Sequence, residues 1–244
     1  MSTDGVSAED VDVIVFDVNE TLSDMRPLGA AFAAVGTPEQ LAATWFAGIL
    51  RDGFAAAVAG DNVPFARIAE RGLIGLLATH GVDGPEQAVT SIMNALQALE
   101  VHPDVVPGIE ALHGRADLVT LGNGSAATAR GLLEGAGVVN AFARFLSVED
   151  APAWKPHRTA YAHAASTCDS PPERMLMVAV HPWDIHGAHA AGLRTAWIDR
   201  DGGRYPEYFT PPDLAVPDLV ASPNGSATTC ESWFVGLLAR RPGQ

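Results

Sequence analysis

The sequence predicts an α/β protein whose core is a doubly wound parallel sheet, with an all-helical insertion after the first strand. Short, almost wholly apolar runs alternate with helix-like segments from residue 116 to residue 198. This alternation is typical of parallel strands that are buried on both faces and connected by helices. By contrast, residues 28–102 show helical periodicity with Gly and Pro breaks and no convincing strand.

The predicted strands are rich in branched and aromatic apolar residues, as strands buried on both faces are. They are residues 11–16 (VDVIVF), 116–121 (ADLVTL), 142–148 (FARFLSV), 175–180 (MLMVAV) and 193–198 (LRTAWI). Predicted helices follow the middle three strands, at residues 125–137, 157–166 and 184–192. The first of these helices begins with Ser and ends with Gly, the usual helix-boundary residues. A Rossmann-like core follows from this order.

The helical block divides the chain into two predicted domains. Residues 1–27 and 103–244 form the Rossmann-like core domain, and residues 28–102 form a helical cap domain. The Pro- and Gly-rich residues 201–226 are predicted to be surface loops.

Composition excludes several classes of function. The net charge of −14 and the pI of about 4.8 argue against a nucleic-acid partner, which needs clustered Lys and Arg. The N-terminus lacks the basic and apolar regions of a signal peptide. Apolar stretches break well short of the ~20 residues that span a bilayer, so no membrane helix is expected. Two cysteines, Cys168 and Cys230, are too few for a disulfide framework, and a cytoplasmic protein is expected.

Four polar residues fall where predicted strands end. Asp17 follows the first strand and Asn123 the second, while Lys155 comes shortly after the third and Asp184 after the fourth. Because ligands of open α/β sheets bind at the carboxyl ends of the strands, these side chains are predicted to meet in one active site.

Four segments around these residues resemble the motifs of the haloacid dehalogenase superfamily. They are FDVNET (16–21), TLGNGS (120–125), WKPHRTAY (154–161) and VAVHPWDIHGAHAAGLRTAWIDR (178–200). The resemblance covers about residues 11–200 and is closest to the type II L-2-haloacid dehalogenases. It implies the same fold, with the helical insertion as the family's cap.

The resemblance also implies roles for individual residues. Asp17 is the expected nucleophile, which forms a covalent intermediate that water hydrolyses. Lys155 is expected to keep that carboxylate ionised and Thr21 to orient it, while Asp184 orients or activates the water. His181 is expected to hydrogen-bond the water or the ester carbonyl. The predicted substrate-binding residues are Val18, Asn19, Trp45, Phe46, Gly122, Asn123, Tyr161 and Trp183.

Asn19 distinguishes this chain from the phosphatases of the superfamily. Those enzymes carry a second Asp at this position, which protonates the leaving alkoxide, whereas Asn19 has no proton to give at neutral pH. Val180 stands where they carry one of two acidic Mg²⁺ ligands. A halide leaves without a proton, so the pattern favours a dehalogenase that needs no metal or other cofactor. The scattered histidines, including His186 and His189, predict no zinc site.

The sequence also departs from the dehalogenase pattern. Phe46 stands where the family has an Arg that receives the halide, and Gly122, Ala179 and His181 replace a Ser, a Ser and an Asn. Arg51 or Arg26 is a candidate substitute cation. Trp45 and Phe46 are interpreted either as an apolar or cation–π wall of the site or as core packing of the cap.

The predicted function is therefore hydrolytic displacement of a halide from C2 of a short 2-haloalkanoic acid, a small carboxylate partner. Two enzymatic alternatives remain: hydrolytic opening of a strained cyclic amino acid such as azetidine-2-carboxylate, and phosphate-ester hydrolysis. A catalytically silent scaffold is the third alternative. Relatives of this branch are often homodimers, so the resemblance leaves a homodimer open.

Overall fold

The computed structural model describes residues 11–220, which contain a six-stranded parallel sheet. The strands are β1 (Val13–Phe16), β2 (Asp117–Gly122), β3 (Phe142–Ser147), β4 (Met175–Ala179), β5 (Arg194–Ile198) and β6 (Leu214–Val216). Their spatial order is β3-β2-β1-β4-β5-β6. The chain moves outward on one side of β1 and then returns to build the other side. This reversal makes a crevice between β1 and its neighbours, where such sheets place their ligands.

Helices cover both faces of this sheet. They are α5 (Val105–Leu112), α6 (Ala126–Gly135), α7 (Arg158–Cys168) and α8 (Pro182–Ala190). Alternate residues of β1 point to opposite faces, as the pleat requires. Ile14 and Phe16 join the apolar cluster that contains α5 and α6, whereas Val13 and Val15 join the cluster that contains α7 and α8. The α/β fold with its helical insertion is thus confirmed.

The insertion consists of four helices that bury a third apolar cluster. They are α1 (Leu28–Ala34), α2 (Leu41–Ala59), α3 (Phe65–Thr79) and α4 (Glu86–Gln97). The two chain segments that enter and leave the insertion pair with each other: Asp24 N donates to the Glu100 carbonyl at 2.8 Å, and His102 N donates to the Leu22 carbonyl at 2.9 Å. The insertion is therefore tied to the core directly beside the end of β1. The predicted domain limits at residues 28 and 102 stay a prediction.

Trp154, which precedes Lys155 in the core, anchors α2 of the insertion. Its Nε1 donates to the Val63 carbonyl at 2.9 Å, and its ring stacks on Phe65. The ring lies so close to Gly53 that a Cβ there would approach its Cζ3 to 2.3 Å. Only a residue without a side chain fits at this contact.

Gly53→Ala is accordingly expected to destabilise the protein by about 1–3 kcal/mol, because the added methyl overpacks the contact. Gly48→Ala is the matched control in the same helix, because nothing lies within 4 Å of its built Cβ. It should stabilise the protein by up to about 1 kcal/mol through helix propensity. Urea unfolding of both variants measures the difference, and equal free energies of unfolding would contradict this account of the interface.

Three expectations from the sequence need correction or comment. Residues 105–112 form α5, where no helix was predicted, and β6 lies inside the stretch predicted to be loops. Within residues 11–220, α2 is long and apolar enough to span a membrane. One such helix is weak evidence, and 22% of its apolar window is buried, including the Trp45, Phe46 and Ile49 side chains. Residues 221–226 and Cys230 lie outside the described residues.

Candidate active site

The structure brings the four strand-end residues together at the carboxyl edge of the sheet. Lys155 Nζ donates to Asp17 Oδ1 at 2.9 Å and to Asp184 Oδ2 at 2.6 Å. The Lys155 backbone N–H donates to Asn123 Oδ1 at 3.0 Å. Asn123 therefore fixes the backbone of the lysine, and the lysine joins two carboxylates from separate strand ends.

Lys155 is the only lysine in the 244-residue sequence, and its side chain is 0% exposed. Burial alone would lower the pKa of its ammonium group, but the two carboxylates outweigh burial and raise the pKa. A buried ammonium is costly unless it is paired, so its position indicates a specific task.

The pKa values of the two carboxyl groups that share this cation are shifted in opposite directions. Burial works to raise the pKa of Asp17, but the Lys155 charge, His181 and the Thr21 hydrogen bond outweigh it, so the pKa is lowered. Burial dominates at Asp184 and raises its pKa, with the neighbouring Asp17 charge acting in the same direction. A pair of carboxyl groups with opposite shifts is the usual arrangement for one ionised group and one proton-transfer group.

Thr21 is oriented by the backbone that follows β4. The backbone N–H of Val180 donates to Thr21 Oγ1 at 3.1 Å, and the Thr21 hydroxyl donates to Asp17 Oδ2 at 2.7 Å. Both oxygens of Asp17 therefore receive a hydrogen bond, Oδ1 from the lysine and Oδ2 from the threonine. The carboxylate is held in one orientation with little exposure, at 3%.

Tyr161 holds the second carboxylate from the opposite side. Its hydroxyl donates to Asp184 Oδ1 at 2.5 Å, and the pKa of this buried phenol is raised well above its usual value, first by burial. The phenol therefore stays a donor. Gly187 leaves room for it, because a Cβ there would come within 2.7 Å of the phenol oxygen.

His181, at the N-terminus of α8, faces Asp17. Its Nε2 lies 3.2 Å from the Asn19 carbonyl oxygen and 3.6 Å from Asp17 Oδ2. Both neighbours are acceptors, so this nitrogen carries a proton. The imidazole stacks on Trp183, at 4.9 Å between ring centroids, and on Phe46, at 6.3 Å.

The two aromatic residues of α2 have different surroundings. Phe46 stacks on His181 and lines a cleft of about 890 Å³ at the edge of the site. Trp45 lies in the apolar cluster of the insertion, where its Nε1 donates to the Ala69 carbonyl at 2.9 Å. The surroundings of Trp45 favour the packing interpretation, and those of Phe46 favour a place in the wall of the site.

The remaining predicted binding residues line the loops around Asp17. Val18 packs against Gly122, where a built Cβ would be 3.3 Å from Val18 Cγ2. Val18 and Asn19 also line a cavity of about 80 Å³ between the core and the insertion, together with Phe65 and Gly124. Gly122 therefore belongs to a tight contact that a larger residue would disturb.

Neither candidate replacement for the missing arginine contacts Asp17. Arg26 pairs with Asp24 at 2.5 Å, and the Arg26 side chain is 78% exposed. Arg51 pairs with Asp52 at 2.7 Å and is 76% exposed. The cleft of about 890 Å³ includes Arg26 among its lining residues, but acidic side chains predominate there. Within residues 11–220, no three His, Cys, Asp or Glu side chains form a candidate metal site.

The fold and the site define a hydrolase with an aspartate at the end of the first strand and helices inserted behind it. The chain belongs to the haloacid dehalogenase-like hydrolase family, whose model matches residues 11–192.

Named relatives agree with this assignment. The chain is 28% identical over 214 residues to haloacetate dehalogenase H-2 of Moraxella sp. (strain B), covering 86% of this chain and 96% of the relative. It is 26% identical over 220 residues to the (S)-2-haloacid dehalogenase of Pseudomonas sp. (strain YL), covering 85% and 91%. The structure of L-2-haloacid dehalogenase from Xanthobacter autotrophicus superposes with a TM-score of 0.78 at 24% identity, covering 86% and 95%, and supports the fold.

Sequence reasoning missed Glu20, whose carboxylate lies beside His181. It also missed Arg200, which donates to the Thr21 carbonyl at 2.7 Å and to Asp104 at 2.8 Å. These contacts join residues far apart in the chain, so no local sequence pattern predicts them. Lys155, by contrast, was predicted from its place after the third strand.

Proposed function

We propose that this hydrolase releases halide from short 2-haloalkanoic acids, with Asp17 as the nucleophile. The observation that carries the proposal is the ionised, buried Asp17 carboxylate, held by Lys155 at 2.9 Å and Thr21 at 2.7 Å. A carboxylate freed of water and fixed in position is prepared for attack on carbon. The dehalogenases named among the relatives support the same reaction class.

In the first step, an oxygen of Asp17 attacks C2 of the substrate from the side opposite the halogen. The new C–O bond forms as the carbon–halogen bond breaks, and halide leaves with the bonding electrons. The product of this step is an ester of Asp17, with C2 inverted. No proton is needed, which agrees with Asn19 and Val180 at positions where phosphatases of the superfamily carry acids.

In the second step, water adds to Cγ of the Asp17 ester. Asp184 accepts a proton from this water, a role that its raised pKa favours. Negative charge develops on the former carbonyl oxygen. The C–O bond to the substrate then breaks, the proton passes to the departing oxygen, and a 2-hydroxy acid leaves. Ionisation of the regenerated Asp17 releases the remaining proton.

We propose that His181 and Thr21 act in this second step. Thr21 donates to Oδ2 of Asp17, and the protonated Nε2 of His181 lies 3.6 Å from the same oxygen. We therefore assign Oδ2 to the ester carbonyl, where these donors stabilise the developing charge. Backbone N–H groups of Val18 and Asn19, with the Asn123 amide, are proposed to hold the substrate carboxylate.

A second candidate is hydrolytic opening of a strained cyclic amino acid by the same attack. The cleft beside the site favours it, because Glu20, Asp24, Glu39 and Asp201 line that cleft. Such a lining attracts a protonated ring nitrogen and repels a simple anion.

The experiment is a comparison of substrate panels. Wild-type protein is expected to release halide from 2-halopropionates or haloacetates, fluoroacetate included, at an unchanged rate in EDTA. Silence with halo acids but opening of azetidine-2-carboxylate would favour the second candidate. Mg²⁺-dependent hydrolysis of p-nitrophenyl phosphate alone would contradict both, and silence with every substrate would favour a scaffold. We also propose that the protein is cytoplasmic. We propose that it forms a homodimer, and gel filtration of the purified protein tests this.

A further inference from the structure

Glu20 has an unusual backbone for its residue type. Its φ of 59° lies in the left-handed region, which carries a steric cost for residues with a Cβ. Among residues 11–220, Asp169 is the other non-glycine residue with positive φ, and it ends α7, where this conformation is common. Such strain persists only where surrounding contacts hold it, and it often accompanies function.

Two contacts hold the backbone of Glu20. His102 Nε2 donates to its carbonyl oxygen at 3.0 Å, and its own N–H donates to Ser23 Oγ at 3.3 Å. Both partners lie in the chain segments that enter and leave the helical insertion. These contacts fix the direction in which the Glu20 side chain leaves the backbone.

The side chain of Glu20 then reaches His181. Its Oε2 lies 3.6 Å from His181 Nε2, the same nitrogen that faces Asp17. The stacked rings of Phe46 and Trp183 fix the plane of the imidazole, but stacking does not determine which edge of the ring points at Asp17. The acceptors beside Nε2, the Asn19 carbonyl at 3.2 Å and the Glu20 carboxylate, decide this, since they favour the ring edge and tautomer that present an N–H group.

We propose that Glu20 is a positioning residue that, together with the Asn19 carbonyl, keeps the imidazole proton of His181 on Nε2, the nitrogen that faces Oδ2 of Asp17. The proposal rests on the proposed function, and it assigns Glu20 to the second step. When water adds to Cγ, the C=O electron pair moves to Oδ2, and this N–H group donates to the resulting oxyanion. Glu20 itself neither touches the substrate nor exchanges a proton. Without it the ester still forms, but its hydrolysis slows.

The test is Glu20→Gly, measured by the decay of the Asp17 ester. Protein is mixed with one equivalent of a 2-haloacid that the wild type turns over, and the ester is followed by quenched-flow intact-protein mass spectrometry. We expect decay about 10-fold slower than in wild type, the effect of a lost hydrogen bond to a charged group. Thermal stability should be equal or higher, because glycine relieves the left-handed backbone. Halide release in the first turnover should be at least as fast as in wild type, because the lost carboxylate repels an anionic substrate.

Two further variants separate positioning from folding. Glu20→Gln keeps an acceptor at the same reach and should restore much of the decay rate. His181→Phe keeps the ring stack without the donor, and it should slow decay at least as much as Glu20→Gly. Adding Glu20→Gly to His181→Phe should slow decay no further, because both changes remove one interaction.

The outcomes distinguish a failure of the proposed role of Glu20 from a failure of the proposed function. Wild-type turnover with unchanged ester decay in Glu20→Gly would overturn the inference alone. Fully additive effects in the double variant would do the same. A wild type that forms no Asp17 ester with any substrate would overturn the proposed function and the inference together.

Discussion

Asp17→Asn is expected to lower kcat for halide release by about 10⁴-fold or more, because the amide cannot form the ester. The fold should survive this change. Asn has the same shape as Asp, Thr21 can still donate to the amide oxygen, and Lys155 keeps its 2.6 Å contact with Asp184. Halide release and circular dichroism of the same preparation measure both expectations.

Asp61→Asn is the matched control, since it makes the same chemical change at an exposed carboxylate outside the site. It should leave kcat unchanged. A single turnover in H₂¹⁸O gives an independent check, because the hydroxyl oxygen of the first product comes from Asp17 and the label enters the protein. Labelled product in that first turnover would show direct attack by water and reject the covalent mechanism.

Lys155→Met is expected to combine the second-largest loss of activity with a loss of stability of about 3–5 kcal/mol. Methionine has a similar volume, but it leaves Asp17 and Asp184 buried without their shared cation. Burial would then raise the pKa of Asp17, so the ionised nucleophile would exist only at higher pH. Any residual halide release should therefore have its acidic limb shifted upward in pH. Urea unfolding and a pH series of kcat measure the two effects.

The double variant Lys155→Met with Asp184→Asn separates stability from catalysis. Removing the second buried carboxylate should recover part of the lost stability, because one unpaired charge is gone. It should not recover activity, because Asp17 still lacks its cation and the water lacks its base. If Lys155→Met alone were as stable as wild type, the argument from buried charge would be wrong.

The sequence predicted the sheet well because its strands are buried on both faces. A run such as VIVF leaves little choice of structure, and β1 to β5 begin or end within two residues of the predicted limits. The elements that the sequence did not predict are short. The strand β6 has three residues among prolines, and α5 contains Pro107 and Gly108, so neither carries a clear periodicity.

The candidate site was likewise predicted only in part. Strand ends meet by topology, so the convergence of Asp17, Asn123, Lys155 and Asp184 followed from their order in the chain. The surroundings of Trp45 and Phe46 could not be predicted from the sequence. Adjacent residues of one helix point in different directions, and only packing decides which one reaches the site. The left-handed backbone of Glu20 is likewise set by distant partners, and no sequence pattern encodes it.

Chemical labelling of Lys155 can also report opening motions of the protein. Amine-reactive reagents meet no exposed lysine side chain anywhere in the sequence, because the one lysine is fully enclosed between two carboxylates. Acylation of that side chain can proceed only in molecules that have opened around it. When reclosing is faster than acylation, the rate at which the label enters at Lys155 follows the population of open molecules. Ligands that close the cleft should lower that population and slow the labelling.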